Sequence, residues 1–243
     1  MDLTKDNITE LIKKIAIPAS VGTFFQTMYN LVDSKFAGLI SPEALTAIVK
    51  SFPIYLIIIA ASVGISAGTT ALISNTLGQK DTEKASVLFA QSIIVALLIT
   101  FVVTFIGIAS IKDILIILKS NNQIISYATD YMNVIFSGSI VIFLLVTINA
   151  SLVSRGDTKS YRNVLIFSFF LNILLNPLFI YGFYLIPAMG ISGIALATIV
   201  SELIGLIYLI YKINKTEIRE YLSPECFKPK IALISDILKQ AIP

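Results

Sequence analysis

Six stretches of the chain are almost unbroken apolar sequence, separated by short polar segments. They cover approximately residues 11–39, 44–77, 85–111, 124–153, 161–185 and 188–213. Each can cross a ~30 Å hydrocarbon core as a helix, which takes ~20 residues. The runs are continuous rather than alternating, so they predict helices and not the strands of a barrel. The separators carry helix-boundary chemistry. Ser41-Pro42-Glu43 offers an N-cap, a proline at the first helical position and a first-turn acid. Gly78 closes the second run, Asp81-Thr82-Glu83 opens the third, and Ser120-Asn121-Asn122 precedes the fourth. Gly156-Asp157-Thr158-Lys159 turns the chain into the fifth. The pattern predicts an all-α integral membrane protein, a six-helix transmembrane bundle.

The first run breaks its own pattern on one face. At ~100° per residue, Gln26, Tyr29, Asn30 and Asp33 line up, with Gly22 on the same side and Phe24, Phe25, Leu31 and Val32 opposite. A charge at mid-bilayer costs ~2.5–3.5 kcal/mol on the most lenient scale, so such residues face a wet cavity or a partner. The stripe is therefore a candidate site. The competing reading places Asp33 near the helix end, reaching for headgroups. Pro18, a turn or two before the stripe, is a candidate hinge, or a proline of the kind membrane helices tolerate.

Composition sharpens the class. Apolar residues make up 56% and charged residues 14%, with mean hydropathy of +0.87. A soluble domain has about 25% charged residues, so the chain belongs in lipid. A net charge of +3 gives no support to nucleic-acid binding. One cysteine, Cys226, and no histidine leave no means to build a disulfide, a zinc site or a histidine-based triad. No nucleophile–base arrangement is visible, so an enzyme is not expected. The N-terminal segment lacks the order of a signal peptide, and the first run is expected to remain as an anchor.

The basic residues orient the bundle. Fourteen Lys and Arg lie in the N-terminal segment, in the second and fourth connections and after the sixth run, against Lys112 and Lys119 on the other side. Both ends are therefore expected in the cytoplasm, in the cytoplasmic membrane. Lys35 and Lys50 flank the first connection and are expected to reach outward. Ile12-Lys13-Lys14-Ile15-Ala16-Ile17-Pro18 recurs as Ile237-Leu238-Lys239-Gln240-Ala241-Ile242-Pro243, a spacing of 243 − 18 = 225 residues. A parallel repeat would restart at that point, after six helices with both ends inside. The expected organisation is a first lobe over residues 1–215, then an inter-lobe linker and the start of a second lobe over 216–243.

Two further stripes carry polar groups. Ser168, Asn172 and Asn176 are spaced i, i+4, i+8 on the fifth run, and Thr198, Ser201, Glu202 and Gly205 share a face of the sixth. Such residues can be interhelical glue at ~0.6 kcal/mol per contact, which suits Ser168 and Ser201. Two amides in an apolar helix suit a site better. Glu202 is a second intramembrane acid, expected deeper than Asp33 and not paired with it. Gly64, Gly68 and Ala71 suit close helix packing.

At these residues the chain resembles the multidrug and toxic compound extrusion (MATE) family of efflux transporters. The matching stretches include Ile17-Pro18 through Gln26, Tyr29-Asn30-Leu31-Val32-Asp33, Leu72-Ile73-Ser74, Asn172-Ile173-Leu174-Leu175-Asn176-Pro177 and Gly190-Ile191-Ser192-Gly193 through Thr198. The resemblance implies twelve helices in two six-helix lobes, with alternating access and export driven by proton or sodium entry. It implies that Asp33 is the coupling carboxylate and that Gln26 and Tyr29 line the lobe cavity, where Asn30 and Glu202 are also candidates. Asn172 and Thr198 match positions that form a cation site with an aspartate on the fifth helix. Here that aspartate is Asn176, which favours proton coupling through Asp33 alone. The arginine usual just after the fourth helix is displaced to Arg155. The expected partners are drug-like, amphipathic cations, membrane lipid and a second lobe, with no cofactor beyond H+ or Na+. The alternatives are a lipid-linked oligosaccharide flippase of the same superfamily, for which basic cavity residues would be expected, and a non-transporting half.

Overall fold

A computed structural model describes residues 8–241, with side chains for 13 and 16–241. Six long helices follow the six apolar runs: α1 (Ile8–Ile40), α2 (Pro42–Gly78), α3 (Thr82–Ile117), α4 (Asn122–Val153), α5 (Lys159–Tyr181) and α6 (Ile191–Ile213). Two 3-10 turns at Glu217–Arg219 and Pro224–Phe227 lead to α7 (Ile231–Ala241). The expected caps are in place. Ser41 accepts from the Ala44 amide, Asp81 from Lys84 and Asn121 from Ile124, each three residues on. Ile242 and Pro243, the end of the recurring motif, lie outside the described residues.

Among the described residues, five helices, α2 to α6, are long and apolar enough to cross a membrane. With 33 residues α1 is also long enough, at ~1.5 Å per residue, but its polar stripe dilutes its apolarity. It packs beside α2, α5 and α6 within the same bundle. α4 is the central post, touching α2, α3 and α6, and its apolar stretch is 67% buried against 22% for α3. α3 turns Phe101 and Phe105 outward, where lipid would cover them.

The largest departure from expectation is the α5–α6 connection. The apolar run was expected to stay helical to residue 185 and resume at 188, yet α5 ends at Tyr181 and α6 begins at Ile191. Gly182 stops α5 at φ 76°, where a Cβ would sit 2.7 Å from the Ile186 carbonyl oxygen and the Ala188 nitrogen. Phe183 and Ile186 exchange both backbone hydrogen bonds, leaving Tyr184 and Leu185 on the outside of a tight turn. Apolarity marks this segment as membrane-facing but does not distinguish a turn from a helix. Lys50 differs as well. It is bonded rather than simply reaching outward, donating to the Leu118 carbonyl and the Ser120 hydroxyl at 3.0 Å each.

At the opposite end the segment after α6 is fastened to α3. Gln91, fully buried, donates to the Cys226 and Lys228 carbonyls at 2.7 and 2.9 Å and accepts from the Lys230 amide at 2.8 Å. Ser86 donates to the Ile218 carbonyl at 2.9 Å. Gly64 and Gly68 of α2 let α7 close in: a Cβ on Gly68 would lie 2.6 Å from the Ile237 carbonyl oxygen. Close packing is thus the role of these glycines, as their spacing suggested.

Candidate functional site

The site forms where α1 lies against α5 and α6. α1 and α5 run from the N-terminal end of the bundle toward the far end, and α6 runs back. Gly22 keeps the lower approach close, since a Cβ there would sit 3.0 Å from Leu165 Cδ1. On the outer faces Phe25 meets Phe169 edge-on, with ring centroids 5.4 Å apart. Between these contacts the three polar stripes converge.

Asp33 is 5% exposed. Its Oδ1 accepts from Asn176 Nδ2 at 3.1 Å and its Oδ2 from Thr198 Oγ1 at 2.9 Å. Asn176 Nδ2 also donates to Asn172 Oδ1 at 2.8 Å. Helices α1, α5 and α6 therefore deliver the four residues expected for cation coupling to one point, Asp33, Asn172, Asn176 and Thr198. The headgroup-seeking reading of Asp33 is not what the geometry shows. Satisfaction is incomplete: Asn172 Nδ2 and Asn176 Oδ1 are buried without a partner among the described residues. Thr198 Oγ1 also lies 3.1 Å from the Ile194 carbonyl, so its single proton has two acceptors within reach.

Two cavities border this point. The larger, about 390 Å³, opens between α1, α2 and α4 beside Asn30, Asp33, Phe52, Tyr55 and Tyr131. Its volume suits a drug-sized molecule. The smaller, about 30 Å³, lies one turn deeper among Gln26, Tyr29, Asn30, Tyr55, Tyr161, Ser168 and Glu202. The residues expected to share one substrate cavity are thus divided. Asn30 borders both cavities, whereas Gln26, Tyr29 and Glu202 border only the small one. Among the described residues, neither cavity is lined by Lys or Arg. Pro18 borders neither; it is buried lower on α1, which continues helical through it. Ser168 donates to the Ser201 carbonyl at 3.1 Å, the interhelical bond its residue type suggested.

Sequence reasoning missed Tyr55, Tyr131 and Tyr161. Tyrosines collect at membrane interfaces, so Tyr55 and Tyr131, well inside their helices, were a signal of polar surroundings within the bundle. Tyr161, at the start of α5, carried no such signal.

The MatE family model matches residues 18–178, most of the chain. The chain belongs to the MatE family. A probable multidrug resistance protein NorM of Thermotoga maritima is 29% identical over 99% of this chain and 52% of its own length. A FAD transporter of Shewanella oneidensis is 27% identical over 82% of this chain and 44% of its own. Among solved structures, a MATE in the bent conformation superposes with a TM-score of 0.85 at 27% identity, covering 97% of this chain and 52% of that one. A MOP-superfamily transporter from Pyrococcus furiosus, described as having a binding pocket of reverse polarity, gives 0.84 at 27%, covering 96% and 51%. This MatE-family chain is therefore an all-helical integral membrane protein, homologous to multidrug efflux transporters. It spans about half the length of the relatives it matches.

Proposed function

We propose that this chain is the first lobe of a two-lobed antiporter that exports amphipathic, cationic small molecules by alternating access, with proton entry at Asp33 as the driving step. Residues 1–215 form the lobe, and residues 216–243 the linker and the start of the second lobe. Both ends of the chain lie in the cytoplasm, and the protein resides in the cytoplasmic membrane. The larger cavity takes the substrate against Asn30 and Asp33, with Gln26, Tyr29 and Glu202 beneath it. Pro18 supplies the hinge as α1 repacks.

One observation carries this reading: the hydroxyl of Thr198 within reach of both Asp33 and the Ile194 carbonyl. With Asp33 ionised, Thr198 donates to it. With Asp33 protonated, Asp33 can donate to Thr198 while Thr198 turns to Ile194, and no hydrogen bond is lost. The site thus accommodates both states of the carboxyl, as a proton carrier requires. Asn176 supports the choice of proton over sodium. It presents an N–H donor to Asp33, where a metal cation needs oxygen acceptors. The absence of Lys and Arg from both linings, among the described residues, supports a cationic substrate over a phosphate-bearing one.

The test is export from proteoliposomes that hold this lobe joined to its second lobe, under an imposed pH gradient. Asp33→Asn should reduce gradient-driven export of a cationic dye to background without lowering the amount of folded protein. Export at the parental rate would overturn the assignment. Preferred export of FAD would instead favour the chemistry of the Shewanella relative.

A further inference from the structure

The small cavity below Asp33 has contents that the coupling step leaves unexplained. α1 and α6 run in opposite directions, so Tyr29, four residues before Asp33, and Glu202, four residues after Thr198, descend together to one level. That level lies about 6 Å below the Asp33–Thr198 bond, one helical turn. Ser168 of α5 stands in the same relation to Asn172, and Tyr55 of α2 closes the side. Four helices therefore build a second polar layer under the first.

Two groups in this layer have no partner. Glu202 Oε2 is buried and unbonded among the described residues, and the hydroxyl of Tyr29, a residue only 8% exposed, has no partner in full hydrogen-bond geometry there, although Thr198 lies close by. A buried donor or acceptor left unpaired costs ~1–3 kcal/mol, more for a charged one, so a fold keeps such groups only where something else satisfies them. The opening of about 30 Å³ limits what that can be. One water needs ~10–15 Å³ on this measure, so there is space for about two waters or one small ion and not for a drug. The lining oxygens are a carboxylate, phenols, a serine hydroxyl and two amides, which are hard donors. The titratable groups facing Glu202 are Tyr29 and Asp33 from α1, Tyr55 from α2, Tyr131 from α4 and Tyr161 from α5, none of them a cation.

We propose that this cavity is a second site for one small monovalent cation, with Glu202 as its charge and Gln26, Tyr29, Tyr55 and Tyr161 as neutral ligands. The cation is a proton carried on Glu202 or a sodium ion beside it. The inference rests on the reading of Asp33 as the first coupling group. It would make the lobe bind two cations per cycle, in layers one turn apart that share the walls Asn30 and Tyr55.

The experiment reads protonation directly, without transport. The 243-residue chain in lipid nanodiscs is titrated while the infrared carbonyl stretch of protonated carboxyls is recorded. Two buried-carboxyl bands are expected; Glu202→Gln should remove one and Asp33→Asn the other. Tyr29→Phe, which keeps the carboxyl, should shift the frequency of the Glu202 band. Sodium chloride replacing choline chloride at fixed pH should erase the Glu202 band if sodium competes there, and leave it if the site takes only protons. A Glu202→Gln difference spectrum identical to the parent's, together with an unshifted band in Tyr29→Phe, overturns the proposal. A parent spectrum that shows the Glu202 band but no Asp33 band would overturn the coupling assignment and leave this one standing.

Discussion

Gln91 and the Asn172–Asn176 pair are all fully buried amides in apolar helices, and the structure treats them in opposite ways. Gln91 gives both N–H groups and its oxygen to the backbone between Cys226 and Lys230, with nothing left over. Asn176 spends its NH2 on Asp33 and Asn172 but leaves its oxygen unpaired among the described residues, as Asn172 leaves its nitrogen. A satisfied network rigidifies a fold, while an unsatisfied one needs a ligand or a second state to justify it. The segment after α6 is thus stapled down by a closed polar network, and the face toward the cavities is left open. One end of the bundle is held by a closed network, and the other keeps polar groups unpaired among the described residues.

The largest effect should follow from breaking the closed network. Gln91→Leu leaves one buried and two part-buried backbone groups unpaired; at ~1–3 kcal/mol for a buried group and less for the others, a loss of about 3 kcal/mol is expected in the thermal unfolding of the purified protein. The same variant should speed the labelling of Cys226. That thiol is 6% exposed and 3.6 Å from the Tyr221 carbonyl, so in the parent it should react slowly even in permeabilised cells, although its place after the sixth run suggests easy access. Unchanged melting and unchanged labelling would show that the clamp is incidental.

A steric break of the same region should cost less. Gly68→Ala puts a methyl 2.6 Å from the Ile237 carbonyl, a backbone atom that cannot swing aside. Overpacking of this kind costs ~1–3 kcal/mol, so α7 should detach from α2 with a smaller shift in melting than in Gln91→Leu. Hydrogen exchange at residues 231–241 checks it, faster exchange being the expected result.

The open region and the clamp also differ in how well the sequence shows them. Asn172 and Asn176 stand a turn apart on an apolar helix, and Asp33 heads a stripe, so local periodicity marks them. Thr198 needed the family resemblance, because a threonine in a membrane helix is common. Gln91 was illegible. Its partners are backbone groups more than 130 residues away, and no side-chain pattern advertises a carbonyl. The division of the substrate set into two cavities was equally hidden, since it depends on which wall Tyr55 supplies once α2 has packed. The helices themselves were readable except at 182–190, where a backbone turn took over an apolar segment.

Asn176→Asp tests the open region from the side of charge. It replaces an N–H donor to Asp33 with a second carboxylate at about the same distance. Two carboxylates this close share a proton or recruit a cation. Sodium should then stabilise the variant more than it stabilises the parent, by ~1.4 kcal/mol at tenfold excess over the Kd of the added site. A melting temperature indifferent to sodium, measured against potassium at equal ionic strength, would remove the argument that Asn176 is what disfavours sodium in this chain.

The smallest effect is the most discriminating, because its sign is opposite to that of Gln91→Leu. Glu202 buries a carboxylate oxygen with no partner among the described residues, so removing it forfeits no hydrogen bond of that oxygen. Methionine is close to glutamate in length, and its flexible thioether can occupy the small cavity. Replacing an uncompensated buried polar group by an apolar one of similar shape is neutral to stabilising. Glu202→Met should therefore melt within about 1 kcal/mol of the parent, on the stable side if different, while losing the infrared band assigned to Glu202. Where stability and function conflict, residues that serve function are those whose removal the fold tolerates or welcomes. If Glu202→Met instead destabilises as strongly as Gln91→Leu, Glu202 belongs with the clamp, and the contrast between closed and open networks fails at this position.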